Sequence, residues 1–233
     1  MTVYQTENII NCRALDGCRT PDGLTKAGMI VRCGIPKTPS QNDIALLRSL
    51  GVKTIIDLRG RLEVEAMPSF FEKNAEFDYH NIPLLEADPA LTGKPFDLWK
   101  LYVASLENNP ERYAQALHLI ASLTQPFLYH CFLGKDRTGL LSALLLSCAG
   151  ACEEDIYRNY ECTYDLIKPF AEKEIAANTG LIWEKDVTRL KSDRINLIKT
   201  FAFLKEKYGG ATAYLESIGI SGEEINAIKK MLI

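Results

Sequence analysis

The 233-residue sequence has neither an excess of basic charge nor a long apolar run. Lys and Arg number 27 against 30 Asp and Glu, and the net charge is -3 at pH 7, so no basic surface is predicted for nucleic acid. The sequence contains no window of about 18 apolar residues, the length that a membrane span needs. Its first residues lack the basic and apolar regions of a signal peptide. We therefore expect a cytoplasmic protein without a transmembrane segment or a nucleic-acid partner. Export without a signal is left open, and the oligomeric state is not predicted.

The cysteine spacing of a metal site is also missing. The sequence contains 7 cysteines, an odd number, in a chain long enough to fold without disulfides, so most are expected to be free thiols. No group of cysteines and histidines is spaced as in a structural zinc site. We predict neither a bound metal nor another cofactor.

The order of predicted elements is that of an α/β protein. After an N-terminal segment of strands and turns, a helix is predicted from the N-cap Ser40 to the stop at Gly51. The β-branched segment 52–58 follows directly and is typical of a strand buried on both faces. Two further strands are predicted, at 77–84 and 125–131.

Charged amphipathic helices dominate from about residue 153. They follow an almost wholly apolar helix predicted at 138–150, and no low-complexity tract or long linker separates them from it. We predict one domain, 1–233, in which an α/β core at 1–152 carries a helical extension at 153–233. The extension either packs on the core or forms a lid.

The segment YHCFLGKDRTG, residues 129–139, lies where a predicted strand passes into the apolar helix. Unpaired N–H groups and the positive end of the helix dipole meet at such a junction and favour a bound phosphate or other oxyanion. A cysteine in the same field is expected to ionise, so Cys131 is predicted to be a thiolate nucleophile at neutral pH. The planar fork of Arg137 fits two phosphoryl oxygens and can stabilise the transition state. Thr138 has a hydroxyl that can hydrogen-bond the cysteine sulfur.

Two other interpretations of this segment fit the residues less well. A nucleotide-binding Walker loop would need Gly where Tyr129 stands and Ser or Thr where Asp136 stands. A purely structural interpretation makes Cys131 a buried thiol and pairs Arg137 with Asp136 at the surface, but it leaves most of the motif unexplained.

The segment resembles the signature C-x5-R-[ST] of the cysteine-dependent phosphatases. Its form HCxxGKDRTG resembles the bacterial tyrosine-phosphatase-like family with atypical dual or triple specificity, and the likeness extends along the chain. NCRALDG and TPDG are similar to N-F-R-D-x-G-G and T-x-D-G, VRCG to Y-R-S-G, and IIDLRGRLEVE to D-L-R-x-x-x-E. The sequence departs from the family pattern at Cys12, Ala14 and Cys33.

The resemblance implies a cysteine-phosphatase fold with a central, mostly parallel sheet of four or five strands flanked by helices. It also implies metal-free hydrolysis of phosphomonoesters through a phosphocysteine. We expect phosphotyrosine as substrate, with phosphoserine, phosphothreonine and phosphoinositides as further candidates. Two alternatives are a phosphate-binding module that does not hydrolyse and a redox-regulated thiol protein. The residues expected around the substrate phosphate are Phe132, Leu133, Gly134, Lys135, Asp136 and Arg137.

The acid that protonates the leaving oxygen has three candidates. Asp136 lies in the loop itself and is favoured, since related enzymes are thought to use this position for acid work or substrate binding. Asp97 and Asp88 lie in or after the segment where better-known tyrosine phosphatases carry their acid. Asp97 could equally serve the first turn of a helix.

Neighbouring residues are predicted to support the loop. His130 is expected to order it rather than to accept protons. Asp57, at the C-terminal end of a buried strand, could pair with Lys135 or simply end the strand. Lys135 could also attract further phosphates of a substrate. Arg59 and Arg61 are expected to be solvated surface charges or to add positive charge at the rim.

Overall fold

The computed structural model describes residues 1–85, 97–182 and 186–233. Within these residues lie seven short strands, ten α-helices and two 3₁₀ helices at Phe70–Lys73 and Val187–Leu190. The strands are β1 Arg13–Ala14, β2 Arg19–Thr20, β3 Gly23–Leu24, β4 Ile30–Cys33, β5 Thr54–Asp57, β6 Asp78–Asn81 and β7 Phe127–His130. The helices are α1 Gln41–Ser49, α2 Arg61–Ala66, α3 Leu98–Asn108, α4 Pro110–Ser122, α5 Asp136–Cys148, α6 Glu153–Glu161, α7 Thr163–Ala176, α8 Ile195–Tyr208, α9 Ala211–Ser217 and α10 Gly222–Leu232.

Five strands form one sheet in the order β1-β4-β7-β5-β6. Four of them, β4, β7, β5 and β6, are parallel, and β1 is antiparallel to β4. Every residue of β4, β5 and β7 is buried, as expected for central strands of a parallel sheet covered on both faces. The predicted α/β fold with a central, mostly parallel sheet is confirmed.

The carboxyl ends of the central strands meet at one edge of this sheet. In the strand register, Cys33 of β4 and Asp57 of β5 both stand opposite His130 of β7. The chain leaves β7 at this edge and enters α5. Open α/β sheets bind their ligands outside the carboxyl ends of the strands, so this edge is where a site is expected.

Helix α5 runs through the main hydrophobic core, and 10 of its 13 residues are buried. One cluster of buried side chains contains Tyr113 and Leu144 of the α/β part together with Phe201 and Ile228 of the helical extension. The extension therefore packs on the core through α8, α9 and α10. In the described part of the chain, no helix combines the length and the apolar character needed to cross a membrane.

Candidate active site

A short loop, residues 131–135, connects β7 to α5. The backbone N–H groups of residues 132–137 donate to no other described group. Thr138 in the first turn of α5 is fully buried, and its hydroxyl also has no hydrogen-bond partner among the described residues. The predicted hydrogen bond from Thr138 to the sulfur of Cys131 is therefore not formed. Unpaired donors at the amino end of a helix provide an anion site, and the buried Cys131 lies at its start.

The loop conformation depends on Gly134 and on residues of two other segments. Gly134 has a φ of 68°, and a Cβ there would lie 2.4 Å from the carbonyl oxygen of Cys33, so glycine is required. The side-chain amide of Asn11 donates to the carbonyls of Leu133 and Gly134 at 3.0 and 2.9 Å. Arg32 donates to the Gly134 carbonyl at 2.5 Å. These bonds engage the carbonyls of Leu133 and Gly134 and leave the N–H groups of the loop available to a ligand.

The guanidinium of Arg32, which contacts the loop, and that of Arg13, which contacts Asn11, are fully buried and pair with no carboxylate of the described residues. Arg13 donates to the carbonyl of Asn159 at 3.0 Å and the hydroxyl of Thr163 at 2.8 Å. Arg32 donates to the hydroxyl of Ser142 at 2.8 Å. Burial, and then the charge of Arg32, lower the pKa of Arg13 to about 9. Buried cations with neutral partners favour an anion nearby, so the site can attract phosphate although the whole chain is acidic.

A carboxylate of α2 holds Arg137 in place. Nη1 and Nη2 of Arg137 both donate to the carboxylate of Glu63, Nη2 at 2.8 Å. Nη1 also donates to the carbonyl of Leu85 at 3.3 Å. Glu63 accepts from the N–H of Gly60 at 3.0 Å as well, so it also caps α2. Burial acts to raise the pKa of Glu63, but the hydrogen bonds and charge of Arg137 outweigh burial and lower it. The edge formed by Nε and Nη2 of Arg137 is left for two oxygens of a phosphoryl group.

Asp136 begins α5, and its described partners bind one carboxylate oxygen. Tyr102 of α3 donates to Oδ1 at 2.6 Å, and the ammonium of Lys135 lies 3.0 Å from the same oxygen. Oδ2 has no described partner. The Asp136 side chain is 36% exposed, whereas that of Lys135 is 7% exposed. The surface pairing of Arg137 with Asp136 is therefore wrong, because Glu63 and Lys135 take those places.

The pairing of Asp57 with Lys135 is also wrong. Asp57 and Arg59 are fully buried and form an ion pair at 2.6 Å, and Tyr79 donates to the same carboxylate at 2.9 Å. Burial acts to raise the pKa of Asp57, but the charges of His130 and Arg59 and the hydrogen bonds from Arg59 lower it overall. Arg59 is therefore neither a solvated charge nor part of the rim.

His130 joins this ion pair to the loop. Its Nδ1 donates to the carbonyl of Cys131 at 3.1 Å, while Nε2 lies 3.7 Å from Asp57. Burial lowers the pKa of His130, although the charge of Asp57 acts to raise it. These contacts fit the predicted role in ordering the loop.

Of the two other acid candidates, Asp97 has Lys100 as its partner among the described residues and not a residue of the loop. Asp97 precedes α3, is exposed, and has its carboxylate 2.8 Å from the ammonium of Lys100. The hydrogen bond and charge of Lys100 lower the pKa of Asp97. Asp88 lies outside the described residues. Asp136 is thus the candidate that the described geometry favours.

The loop has an apolar flank formed by Phe132 and Leu133. Both side chains are half-buried and pack against a small cluster of the helical extension that includes Ile167 and Ala171 of α7. The N–H of Ile35 donates to the Phe132 carbonyl at 2.8 Å and fixes the backbone there. The extension therefore touches the loop as well as the core.

Several residues of this site were not predicted from the sequence as site residues. Asn11, Arg32 and Glu63 lie within NCR, VRCG and D-L-R-x-x-x-E, the same short motifs that carry the family resemblance. Those motifs were the signal that could have found them. Tyr102 gave no such signal, because its position depends on how α3 packs.

Comparison with known proteins identifies relatives of this chain. A family model described as the tyrosine phosphatase family matches residues 4–233. A tyrosine-protein phosphatase of Nostoc commune is 31% identical over 199 residues, which cover 80% of this chain and 68% of that protein. The triple specificity protein phosphatase PtpB of Mycobacterium tuberculosis is 27% identical over 139 residues, which cover 51% of this chain and 49% of that protein. A crystal structure of TpbA from P. aeruginosa has a TM-score of 0.44 and 13% identity, over 83% of this chain and 88% of that one.

Proposed function

Because the chain belongs to the tyrosine phosphatase family and is a phosphatase, we propose that it hydrolyses phosphotyrosine through a phosphocysteine formed on Cys131. The observation that carries the proposal is a loop in which the buried Cys131 is followed by six N–H groups, at 132–137, with no partner among the described residues, and by Arg137, whose Nη groups are held by Glu63. Phosphoserine, phosphothreonine and phosphoinositides are further candidate substrates.

In the first step, the thiolate of Cys131 attacks phosphorus while the bond from phosphorus to the leaving oxygen breaks. The N–H groups and Arg137 bind the three non-bridging oxygens, whose charge rises in the transition state. Asp136 gives a proton to the leaving oxygen from its Oδ2, so that the alcohol departs neutral.

In the second step, water attacks the phosphocysteine. The carboxylate of Asp136 takes a proton from this water as the bond between sulfur and phosphorus breaks. Thiolate and inorganic phosphate are the products, and the proton returns to Asp136. No metal enters this scheme.

The surroundings of the loop favour an aromatic phosphate over a multiply phosphorylated ring. Phe132 and Leu133 supply an apolar flank suited to a phenyl group. Lys135 is nearly buried and its ammonium is directed to Asp136, so it is poorly placed to bind a second phosphate. Phosphoinositides therefore rank behind phosphotyrosine in this proposal.

The proposal is tested by measuring phosphate release from a phosphotyrosine peptide, a phosphoserine peptide and a phosphoinositide. We expect the phosphotyrosine peptide to give the highest kcat/KM. Replacing Cys131 with Ser should lower kcat by roughly 10⁴-fold or more, because the nucleophile is lost. Cys152→Ser is the matched control, since Cys152 is an exposed thiol outside the loop, and it should keep wild-type activity.

Full activity in Cys131→Ser would refute the phosphocysteine. Phosphate binding without any turnover by the wild-type protein would favour the non-hydrolysing module. A redox thiol protein would need a cysteine that bridges Cys131, so a disulfide to Cys131 after mild peroxide treatment, without phosphatase turnover, would favour that alternative. A cytoplasmic location is proposed as well, and fractionation of cells that express the protein would test it.

A further inference from the structure

Two buried tyrosines form a hydrogen-bonded line that ends on Asp136. Tyr102 lies on α3 and Tyr160 on α6, and both are almost fully buried. Their hydroxyl oxygens lie 2.6 Å apart, and Tyr102 lies 2.6 Å from Oδ1 of Asp136. The rings meet edge to face, with centroids 6.2 Å apart and planes at 88°. Neither tyrosine takes part in the steps proposed above.

The direction of each hydrogen bond follows from the contacts on Asp136. The ammonium of Lys135 can only donate, so Oδ1 of Asp136 is an acceptor. Tyr102 must then give its single proton to Oδ1. Its oxygen is left to accept, and Tyr160 is the donor. Burial, and then the charge of Asp136, raise the pKa of both phenols, so both remain protonated donors at neutral pH.

The place of Tyr160 depends on a glycine of the loop motif. A Cβ on Gly139 would lie 2.8 Å from Cδ2 of the Tyr160 ring. The ring therefore lies directly against the first turn of α5, the turn that also carries Asp136 and Arg137. This contact explains Gly139 by the space that Tyr160 needs rather than by backbone conformation.

We infer that Tyr102 and Tyr160 are positioning residues that orient Asp136 as the general acid, an inference that rests on the proposed function. Tyr102 and Lys135 occupy Oδ1, so the acidic proton is carried on Oδ2, the oxygen for which the described residues provide no partner. When that proton moves to the leaving oxygen, the bond from phosphorus to this oxygen breaks and Asp136 becomes a carboxylate. Tyr102 then stabilises the new negative charge, and Tyr160 polarises Tyr102 by donating to it.

The effect of this arrangement depends on how much the leaving group needs a proton. Phenyl phosphate releases a strongly basic phenolate, whereas p-nitrophenyl phosphate releases a weakly basic one that can leave unprotonated. Removal of the Tyr102 hydroxyl should thus slow the first substrate far more than the second. A purely structural role would slow both alike.

The test compares kcat for these two substrates in Tyr102→Phe and Tyr160→Phe, which keep the rings and lose the hydroxyls. We expect Tyr102→Phe to lower kcat for phenyl phosphate roughly tenfold and for p-nitrophenyl phosphate less than threefold. Tyr160→Phe should show the same pattern with a smaller loss. Binding of vanadate to each variant should match the wild type, because the loop is untouched.

Tyr113→Phe is the matched control. Tyr113 is another fully buried tyrosine of the same core, and its hydroxyl is 2.8 Å from Ser105, a residue that does not contact Asp136. The ratio of its kcat to that of the wild type should be the same for phenyl phosphate and p-nitrophenyl phosphate. Thermal unfolding of all three variants checks that each is folded, and Tyr160→Phe keeps the test open if Tyr102→Phe does not fold.

The inference is overturned if Tyr102→Phe and Tyr160→Phe slow both substrates equally or not at all while Asp136→Asn slows phenyl phosphate selectively. It is also overturned if Tyr113→Phe gives the same selective loss. If Asp136→Asn shows no selectivity, the acid assignment of the proposed function fails instead. If the wild type hydrolyses neither substrate, the proposed function itself fails.

Discussion

Among single residues, Arg137 has the strictest requirement, because its half-buried guanidinium must stay charged and keep one fixed plane. Glu63 meets both needs through two hydrogen bonds to Arg137. Arg137 in turn holds Glu63 ionised, since its charge lowers the pKa of the Glu63 carboxyl against the effect of burial. Lysine at position 137 could not satisfy Glu63 and a phosphoryl group at once.

Glu63→Gln should therefore change the acid side of the stability curve. The pKa of Glu63 is lower in the folded protein than in the unfolded chain, so its contribution is present at neutral pH and is lost as the pH falls through the folded-state value. We expect the variant to lose about 1–2 kcal/mol of unfolding free energy at pH 7 and to show a smaller further loss toward pH 3 than the wild type. Urea unfolding at several pH values measures this.

Glu76→Gln is a control for that experiment, because Glu76 also pairs with an arginine, Arg48, but at an exposed site. Its effect at pH 7 should be smaller. An equal loss of stability in both variants would contradict the role given to the Glu63 clamp.

Residue chemistry was easier to predict than residue pairing. Cys131 and Arg137 could be found from the sequence because six positions separate them within one loop motif. The partner of Asp57 could not, since two cations were available and only the folded chain shows their distances. Arg59 stands two residues after Asp57, and its N–H donates to the Asp57 carboxylate at 3.0 Å, as in an Asx turn. This spacing explains why Arg59, rather than Lys135, pairs with Asp57.

At the scale of elements, the sheet order decides which segments support the loop. β4 lies beside β7, and β1 lies beside β4. The N-terminal segment therefore lies close to the loop at 131–135, although more than 100 residues of sequence separate the two. The succession of strand, loop and helix at 125–150 was predictable from apolar runs and turn signals. The contacts of Asn11 and Arg32 with the loop could not be predicted, because local hydrophobic periodicity does not show the order of strands in the sheet.

Asn11 offers a test of this support. It has a φ of 57°, which glycine adopts without strain, so Asn11→Gly removes the side-chain amide and keeps the backbone. We expect kcat/KM for an aryl phosphate to fall about tenfold, because two loop carbonyls lose a donor worth roughly 1.4 kcal/mol. Steady-state kinetics provide the measurement.

Asn178→Gly is the matched control, since Asn178 has a similar φ of 48° and is exposed. It should leave kcat/KM unchanged. If both variants were equally active, the loop would not depend on the N-terminal segment.

For the whole molecule, the helical extension and the α/β part share one cluster of buried side chains. Buried side chains of the extension, among them Leu204 and Leu215, belong to the same cluster as Leu117 and Leu141. The single domain at 1–233 remains a prediction. It follows from apolar composition on both sides of residue 152 and from the lack of a linker between them.

Deletion of residues 195–233 should thus abolish cooperative folding rather than leave a smaller domain. Each buried Leu, Ile or Phe lost with α8–α10 contributes about 1.5–3 kcal/mol, and several of them together match the roughly 5–15 kcal/mol that stabilises a typical domain. The full chain should unfold in one calorimetric transition. A truncated chain with a transition of its own would show instead that the α/β part is independent.

The buried guanidiniums of Arg13 and Arg32 give this enzyme a thermodynamic link to its own product. Both have only neutral partners among the described residues, so we expect inorganic phosphate bound in the loop to supply a counter-charge and to stabilise the folded chain. Stability then rises with phosphate concentration as RT ln(1 + [L]/Kd). Phosphate that accumulates during turnover would thus inhibit catalysis and protect the chain from unfolding at the same time.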